Sequence, residues 1–114
     1  MDATALGYMK KTSLIVNIAR GELIDQDALI EALEKKEIGG AALDVFTPEP
    51  YPPDGKLLTE FGKKDDRERV VLTPHISGHT DKYIDRVIEI LVENLHRLEK
   101  GKTLLNLVDR RKGY

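Results

Sequence analysis

The sequence contains no cysteine and no tryptophan, and only four tyrosines and two phenylalanines among its 114 residues. Without cysteine there are no disulfide bonds and no thiolate chemistry, which fits a reducing compartment. The N-terminus lacks a basic segment followed by an apolar run, so we expect no signal peptide. No stretch approaches the roughly 20 apolar residues that span a bilayer. We therefore expect a cytoplasmic location and no membrane partner.

The sequence also lacks an excess of positive charge. It has 18 Lys and Arg against 20 Asp and Glu, a formal net charge of −2. Proteins that hold nucleic acid neutralise phosphates with a basic surface, so we expect no nucleic-acid partner. The one basic cluster, residues 110–112, is interpreted as a solvated tail. With 40% hydrophobic and 33% charged residues, the composition is that of one small globular domain.

Three short apolar runs predict buried strands, over residues 13–18, 41–46 and 70–72. The first is continuous enough to predict a strand buried on both faces. Between the first two runs, the pattern predicts a helix over about 26–36 with Asp25 as its N-cap. Strands that alternate with helices indicate an α/β fold with a parallel sheet.

The other segments of the chain show weaker patterns of secondary structure. We predict short helices over residues 2–10 and 56–61, and an irregular loop over the proline-rich residues 48–55. Residues 62–69 are nearly all charged, which predicts a solvated excursion. Residues 104–108 fit either a terminal strand or a docking tail.

A long helix is predicted over about 81–100, capped by Thr80. Apolar residues recur along it at spacings of three and four: Ile84, Val87, Ile88, Leu91, Leu95 and Leu98, with Tyr83, Ile90 and Val92 beside them. This apolar arc is wider than one ordinary amphipathic stripe. We therefore expect the helix to pack on more than one partner.

Three chemically suited side chains follow the predicted strands. Arg20 comes after the first, Glu49 lies in the loop after the second, and His75 comes after the third. The carboxyl ends of parallel strands share one edge of the sheet, where ligands bind. Arg can hold a carboxylate with its planar fork, and His can exchange a proton near neutral pH. A Glu on the far ring nitrogen would orient that His and favour its protonated form. This set suits a 2-keto acid.

Three blocks of sequence, Met9–Asp25, Gly40–Pro50 and Leu72–Gly78, resemble in order the signature blocks of the D-isomer-specific 2-hydroxyacid dehydrogenases. The resemblance covers nearly the whole chain. It implies that residues 1–114 form the second half of a doubly wound, Rossmann-like parallel sheet, with a long C-terminal helix and tail over about 81–114. The implied activity is hydride transfer between NAD, with NADP not excluded, and a 2-keto or 2-hydroxy acid.

The same resemblance implies individual roles. Arg20 would bind the substrate carboxylate, His75 would be the acid/base, and Glu49 would pair with His75. Residues implied to contact the nicotinamide end of the cofactor are Ile18, Ala19, Arg20, Asp44, His75, Ser77 and Gly78. We expect no metal. His79 and His96 are interpreted as surface or packing residues.

The sequence departs from the family by what it lacks. It contains no Gly-x-Gly-x-x-Gly phosphate loop, no acidic residue to read the adenosine ribose, and no substrate domain. Activity of this chain alone therefore stays open. Two alternatives remain: a non-catalytic interaction module derived from a dehydrogenase half, and one piece of an enzyme assembled from two chains. Because half a sheet exposes unpaired strand edges, we expect a homo-oligomer.

Overall fold

The computed structural model describes residues 1–61 and 69–113. Its regular elements, in chain order, are α1 (Ala3–Gly7), β1 (Leu14–Asn17), a 3-10 turn (Gly21–Leu23), α2 (Gln26–Glu34), β2 (Gly40–Leu43), α3 (Lys56–Thr59), β3 (Val70–Leu72) and α4 (Tyr83–Glu99). Within the described ranges the strands form one parallel sheet in the order β1-β2-β3. The chain divides into two compact units, Met1–Ser77 and Gly78–Tyr114. Most of the excursion predicted over 62–69 lies outside the described residues.

The first unit buries one face of its sheet. Ile15, Ala41 and Val70 lie side by side in the strand register and belong to one apolar core with residues of α1, α2 and α3. α2 forms where expected because Asp25 caps it, accepting a hydrogen bond from the Ala28 amide at 3.1 Å. Its buried positions recur at helical spacing, so one stripe of the helix packs on the sheet.

The opposite face of the sheet is exposed, which corrects the expectation that the first strand is buried on both faces. Leu14 and Val16 of β1 are 70% and 68% exposed, and Val71 of β3 is 54% exposed. The strand register places Val16 and Val71 on either side of the half-buried Ala42. We call these four residues, Leu14, Val16, Ala42 and Val71, the bare sheet face. An apolar run shows only that both faces of a strand could be buried. Whether both are buried depends on which helices or strands pack against them.

Arg69, which the sequence placed in a solvated excursion, is half-buried instead. Its guanidinium donates hydrogen bonds to the carbonyls of Leu33, Ile38 and Gly39, at 3.1, 3.3 and 3.2 Å. Arginine satisfies free carbonyls near a helix C-terminus in this way. The side chain therefore ties the start of β3 to the end of α2.

The second unit consists of α4 and the tail that follows it. Every residue of α4 is exposed or half-buried in the part of the chain that the structure describes, so its predicted packing on more than one partner is not met there. The predicted Thr80 cap is wrong: α4 begins at Tyr83, and Thr80 instead accepts the Tyr83 amide through its backbone carbonyl at 3.1 Å. No helix among the described residues is long and apolar enough to cross a membrane.

The tail over residues 104–108, all of which the structure describes, forms no strand and folds back on the end of α4. The Asn94 side chain donates to the Leu105 carbonyl at 3.3 Å and accepts from the Leu105 amide at 2.7 Å. Arg97 donates to the Thr103 carbonyl at 3.1 Å. Of the two readings, the structure supports a docked tail whose docking site is its own helix.

Candidate active site

The carboxyl edge of the sheet gathers the candidate side chains of the first unit. β1 ends at Asn17, β2 at Leu43 and β3 at Leu72, and all three strands run in the same direction. Arg20, Asp44 and His75 follow those ends within a few residues, as the sequence predicts. A parallel sheet therefore carries three separate stretches of chain to one edge, where ligand sites of open α/β sheets lie.

Glu49 and His75 form a hydrogen-bonded pair at this edge. His75 Nδ1 lies 2.8 Å from Glu49 Oε2, and Glu49 Oε1 accepts from the Phe46 amide at 2.8 Å. The hydrogen bond from His75, followed by that from Phe46, lowers the pKa of the Glu49 carboxyl below its usual range. An ionised Glu49 fixes the ring through Nδ1 and leaves Nε2 for another partner.

The backbone presents His75 in an unusual conformation. Its φ is +54°, in the left-handed region that few residues other than glycine adopt. Backbone strain of this kind clusters at functional sites, where the surrounding structure must hold it. The side chain is 48% exposed, so the ring is accessible while Glu49 restrains it.

Asp44 supplies the restraint on the segment that carries His75. It is 2% exposed. One carboxylate oxygen accepts from the Thr73 hydroxyl and, at 2.9 Å, from the Ile76 amide; the other accepts from the Ser77 amide at 2.8 Å. Burial by itself raises the pKa of Asp44, but the hydrogen bonds from Ser77, Thr73 and Ile76 outweigh it and hold the pKa well below its usual range. Its carboxylate thus organises the turn around His75, and its predicted cofactor contact stays a prediction.

Asn17 is a site residue that the sequence analysis missed. It is 6% exposed, its side chain donates to the Arg20 carbonyl at 2.8 Å, and it accepts from the Ala19 amide at 3.1 Å. These contacts hold the turn that leads from β1 to Arg20. The available signal was a lone polar residue inside an apolar strand, since a buried amide is retained only where it is hydrogen-bonded.

Arg20 itself is exposed. One guanidinium nitrogen donates to the neighbouring Ala19 carbonyl at 2.7 Å, and its charge is close enough to contribute to the lowered pKa of Glu49. The next residue, Gly21, packs against the loop that follows β2: a Cβ there would lie 2.1 Å from the Phe46 carbonyl oxygen. Only glycine allows this approach, so Gly21 sets the distance between the Arg20 turn and the Glu49 loop.

A cleft of about 610 Å³ opens beside the Glu49–His75 pair. Its lining is mostly apolar and consists of Phe46, Glu49, Pro50, Tyr51, Leu58, Leu72, Thr73, Pro74 and His75. Tyr51 is held in this wall by its hydroxyl, which accepts from the Leu57 amide at 3.1 Å, and by ring packing on Phe46. An apolar pocket with a few polar groups at one side is typical of small-molecule sites.

The other predicted contact residues are less constrained by the chain. Ile18 is 63% exposed, and Ala19 and Ser77 are exposed as well. Gly78 begins the second unit, and a Cβ at that position would meet no atom within 4 Å. Of the seven residues predicted to contact the cofactor, only Asp44 is buried.

The carboxyl edge of this parallel α/β sheet thus carries a paired His and Glu, and an Arg. The sequence-family model named D-isomer specific 2-hydroxyacid dehydrogenase, NAD binding domain, matches residues 1–77. Since this match covers more than half of the chain, the chain belongs to that family, and the fold is confirmed as part of a Rossmann-like dehydrogenase domain.

Individual relatives agree with this placement. The chain is 41% identical over 105 residues to a glyoxylate reductase of Korarchaeum cryptofilum, covering 92% of this chain and 30% of that enzyme. A D-isomer specific 2-hydroxyacid dehydrogenase of Xanthobacter autotrophicus Py2, solved with NADPH and MES, superposes with a TM-score of 0.81 at 35% identity, over 98% of this chain and 43% of the other. D-lactate dehydrogenase with NAD+ from Lactobacillus jensenii superposes with a TM-score of 0.76 at 31% identity, over 96% of this chain and 35% of the other. The chain thus spans less than half the length of each.

Proposed function

We propose that this chain carries the catalytic residues of an NAD(P)-dependent dehydrogenase that interconverts a 2-keto acid and a 2-hydroxy acid. These residues lie at the carboxyl edge of its sheet. The observation that carries the proposal is the 2.8 Å contact between Glu49 and His75 Nδ1. It leaves Nε2 of an accessible ring free to give a proton to a carbonyl oxygen, or to take one from a hydroxyl, as general acid/base catalysis requires.

Arg20 has the complementary role in this proposal. Its guanidinium can take a substrate carboxylate on two nitrogens at once, which fixes both the position and the orientation of the acid. Asn17 holds the turn that carries Arg20, and Asp44 holds the turn that carries His75. In this proposal, the turns of both groups that would touch the substrate are held by buried polar residues at the ends of neighbouring strands.

The residues of this chain fit one end of a nicotinamide dinucleotide. Ile18 presents an exposed apolar side chain just after β1, next to the backbone of Ala19. Ser77 lies in the turn held by Asp44. The sequence contains no glycine-rich loop to cradle a pyrophosphate. When bound, the coenzyme would supply or accept the hydride, and this chain would contact its nicotinamide end.

The test is oxidation of NADH and NADPH by the purified chain with glyoxylate, pyruvate and phenylpyruvate. His75→Gln should lower turnover by about 100-fold or more, the usual scale of acid/base catalysis. His79→Gln is the matched control, because His79 is an exposed histidine four residues away, and it should leave turnover unchanged. Turnover that survives His75→Gln would contradict the assignment. No turnover by the folded chain, restored by a second chain that binds the coenzyme phosphates, would favour the two-chain enzyme.

A second candidate function, self-association of a non-catalytic module, has an observation of its own. The bare sheet face is apolar and exposed, and so are the apolar residues of α4. Parallel sheets are normally covered on both faces. A second copy of this chain would bring an apolar helix suited to that face, which is why we take a second copy as the occupant.

Sedimentation over a range of protein concentrations tests this candidate. Val16→Lys and Leu91→Lys place a charge on each apolar surface and should each shift the chain towards monomer. Glu89→Lys, on the same helix, changes charge without removing an apolar side chain and should keep the oligomer. A wild-type chain that stays monomeric at high concentration would exclude self-association through these faces.

A further inference from the structure

Gln26 makes a two-point contact with the loop that carries Glu49. It is the first residue of α2. Its side-chain nitrogen donates to the Thr47 carbonyl at 2.8 Å, and its side-chain oxygen accepts from the Thr47 amide at 3.2 Å. Both backbone polar groups of one loop residue are therefore held by one side chain 21 positions earlier in the sequence.

Thr47 lies at the junction of the two halves of the candidate site. The preceding amide, that of Phe46, donates to Glu49 Oε1. On the other side, a Cβ at Gly21 would lie 2.6 Å from the Thr47 hydroxyl, so Thr47 packs directly on the turn that follows Arg20. A residue that restrains Thr47 restrains the position of Glu49 relative to that turn.

The helix that carries Gln26 is capped and packed into the core. Asp25 caps the helix through the Ala28 amide, and Leu29 and Leu33 bury α2 in the core. Thr47, in contrast, is exposed, so water could satisfy its backbone groups equally well. The contact between the Gln26 side chain and the Thr47 backbone therefore acts mainly by fixing the orientation of the loop. It does not supply hydrogen bonds that Thr47 would otherwise lack.

We propose that Gln26 is a positioning residue for the Glu49–His75 pair, acting through the backbone of Thr47. The inference rests on the proposed function only in the role given to that pair. The inference also states that Gln26 determines the position of Glu49 relative to His75. That position can be measured without an activity assay.

The test compares Gln26→Met, which keeps the length of the side chain and removes both hydrogen bonds, with Asp27→Asn, an exposed change one residue further along the helix. The readouts are the titration of the Glu49 carboxyl by carbon NMR, the ring nitrogen shifts of His75, and thermal unfolding. In Gln26→Met the pKa of Glu49 should rise towards its ordinary value of 4.5, because the hydrogen bond from His75 loosens, and the ring shifts should change. Asp27→Asn should leave both unchanged. Arg20, the other charge that acts on Glu49, is present in all variants.

Where turnover is measurable, Gln26→Met should lower kcat about tenfold, since misplacement of a catalytic group by a fraction of an ångström costs rate, with KM nearly unchanged. Glu49 and His75 signals identical to wild type in Gln26→Met would overturn the inference, whatever happens to unfolding. A Thr47 amide that exchanges with solvent as fast as a free peptide in the wild-type chain would also overturn it. Turnover that survives in His75→Gln would overturn the proposed function alone, so the two failures are distinguishable.

Discussion

The two units of the chain use similar apolar residues in opposite ways. In Met1–Ser77, leucine, isoleucine, valine, alanine and phenylalanine side chains from strands, helices and loops form one buried core. In the second unit, α4 carries apolar residues at regular helical spacing, yet Ile84, Leu95 and Leu98 are each more than half exposed. Apolar residues recur at helical spacing in both α2 and α4, but among the described residues only the first unit buries its apolar side chains in a common core.

This difference explains where the candidate site lies. Asn17 and Asp44 are the two buried polar residues among those that the structure describes. They lie at the end of β1 and directly after β2, where they hold the turns of Arg20 and His75. A site needs its supporting side chains locked by packing and hydrogen bonds. In α4 the side chains are accessible, which suits a contact with a partner.

The sharpest way to test the contrast is to remove one leucine from each unit. Leu33 is fully buried in α2, so Leu33→Ala should lower the free energy of unfolding by about 2–5 kcal/mol. Leu91 is 57% exposed, so Leu91→Ala should change it by no more than about 0.5 kcal/mol in dilute solution. Urea unfolding followed by circular dichroism measures both. Equal losses would show that α4 is packed in solution.

A pair of glycine substitutions tests the same contrast at the backbone. Gly21→Ala forces a Cβ against the Phe46 carbonyl oxygen and should destabilise the first unit by about 1–3 kcal/mol, the range for overpacking. Gly78→Ala adds a methyl group in open space and should leave stability within about 0.5 kcal/mol of wild type. Thermal unfolding of both variants is the measurement, and a stable Gly21→Ala variant would contradict the close approach of the two turns.

We expect Asp44 to make the stability of the first unit depend on pH. Its pKa in the folded state lies below its ordinary value of 3.8, so the stability it contributes is present above that pH and is lost as the pH falls through the lowered pKa. In Asp44→Asn an amide nitrogen faces the Ser77 or Ile76 amide, donor against donor. The variant should therefore be less stable than wild type at neutral pH, with a difference that narrows in acid. Urea unfolding between pH 7 and pH 3 measures this, and a difference independent of pH would contradict the role of the charge.

The smallest effect is expected in the second unit, at the contact that docks the tail. Asn94→Ala removes both hydrogen bonds to Leu105, each worth about 1 kcal/mol at most at an exposed site. The Leu105 amide should exchange faster with solvent by roughly tenfold, while core amides of the first unit keep their rates. Glu89→Gln on the same helix is the control. Unchanged exchange at Leu105 would show that the tail is free of α4.

Several parts of the fold follow from local chemistry. β3 occupies the predicted residues, Val70–Leu72, and Asp25 caps α2 as expected. β2 ends at Leu43, three residues before its predicted end, at the position where its partners in β1 and β3 also end. Thr80 failed as a cap since its backbone carbonyl, and not its side chain, takes the first helical amide.

The sequence by itself provided the candidate residues Arg20, Glu49 and His75 and predicted that each of them follows a strand. It also predicted the family, because the blocks around these residues are specific, and the family match confirms that prediction. Only the tertiary structure decided how the three are held. Asp44 and Gln26 hold turns that lie more than 20 positions away in the sequence, whereas Asn17 holds the turn directly after its own strand. Such hydrogen bonds depend on which backbone groups the packed sheet leaves within reach. Burial of the apolar faces was decided there too, because an apolar side chain can be buried only where another surface covers it.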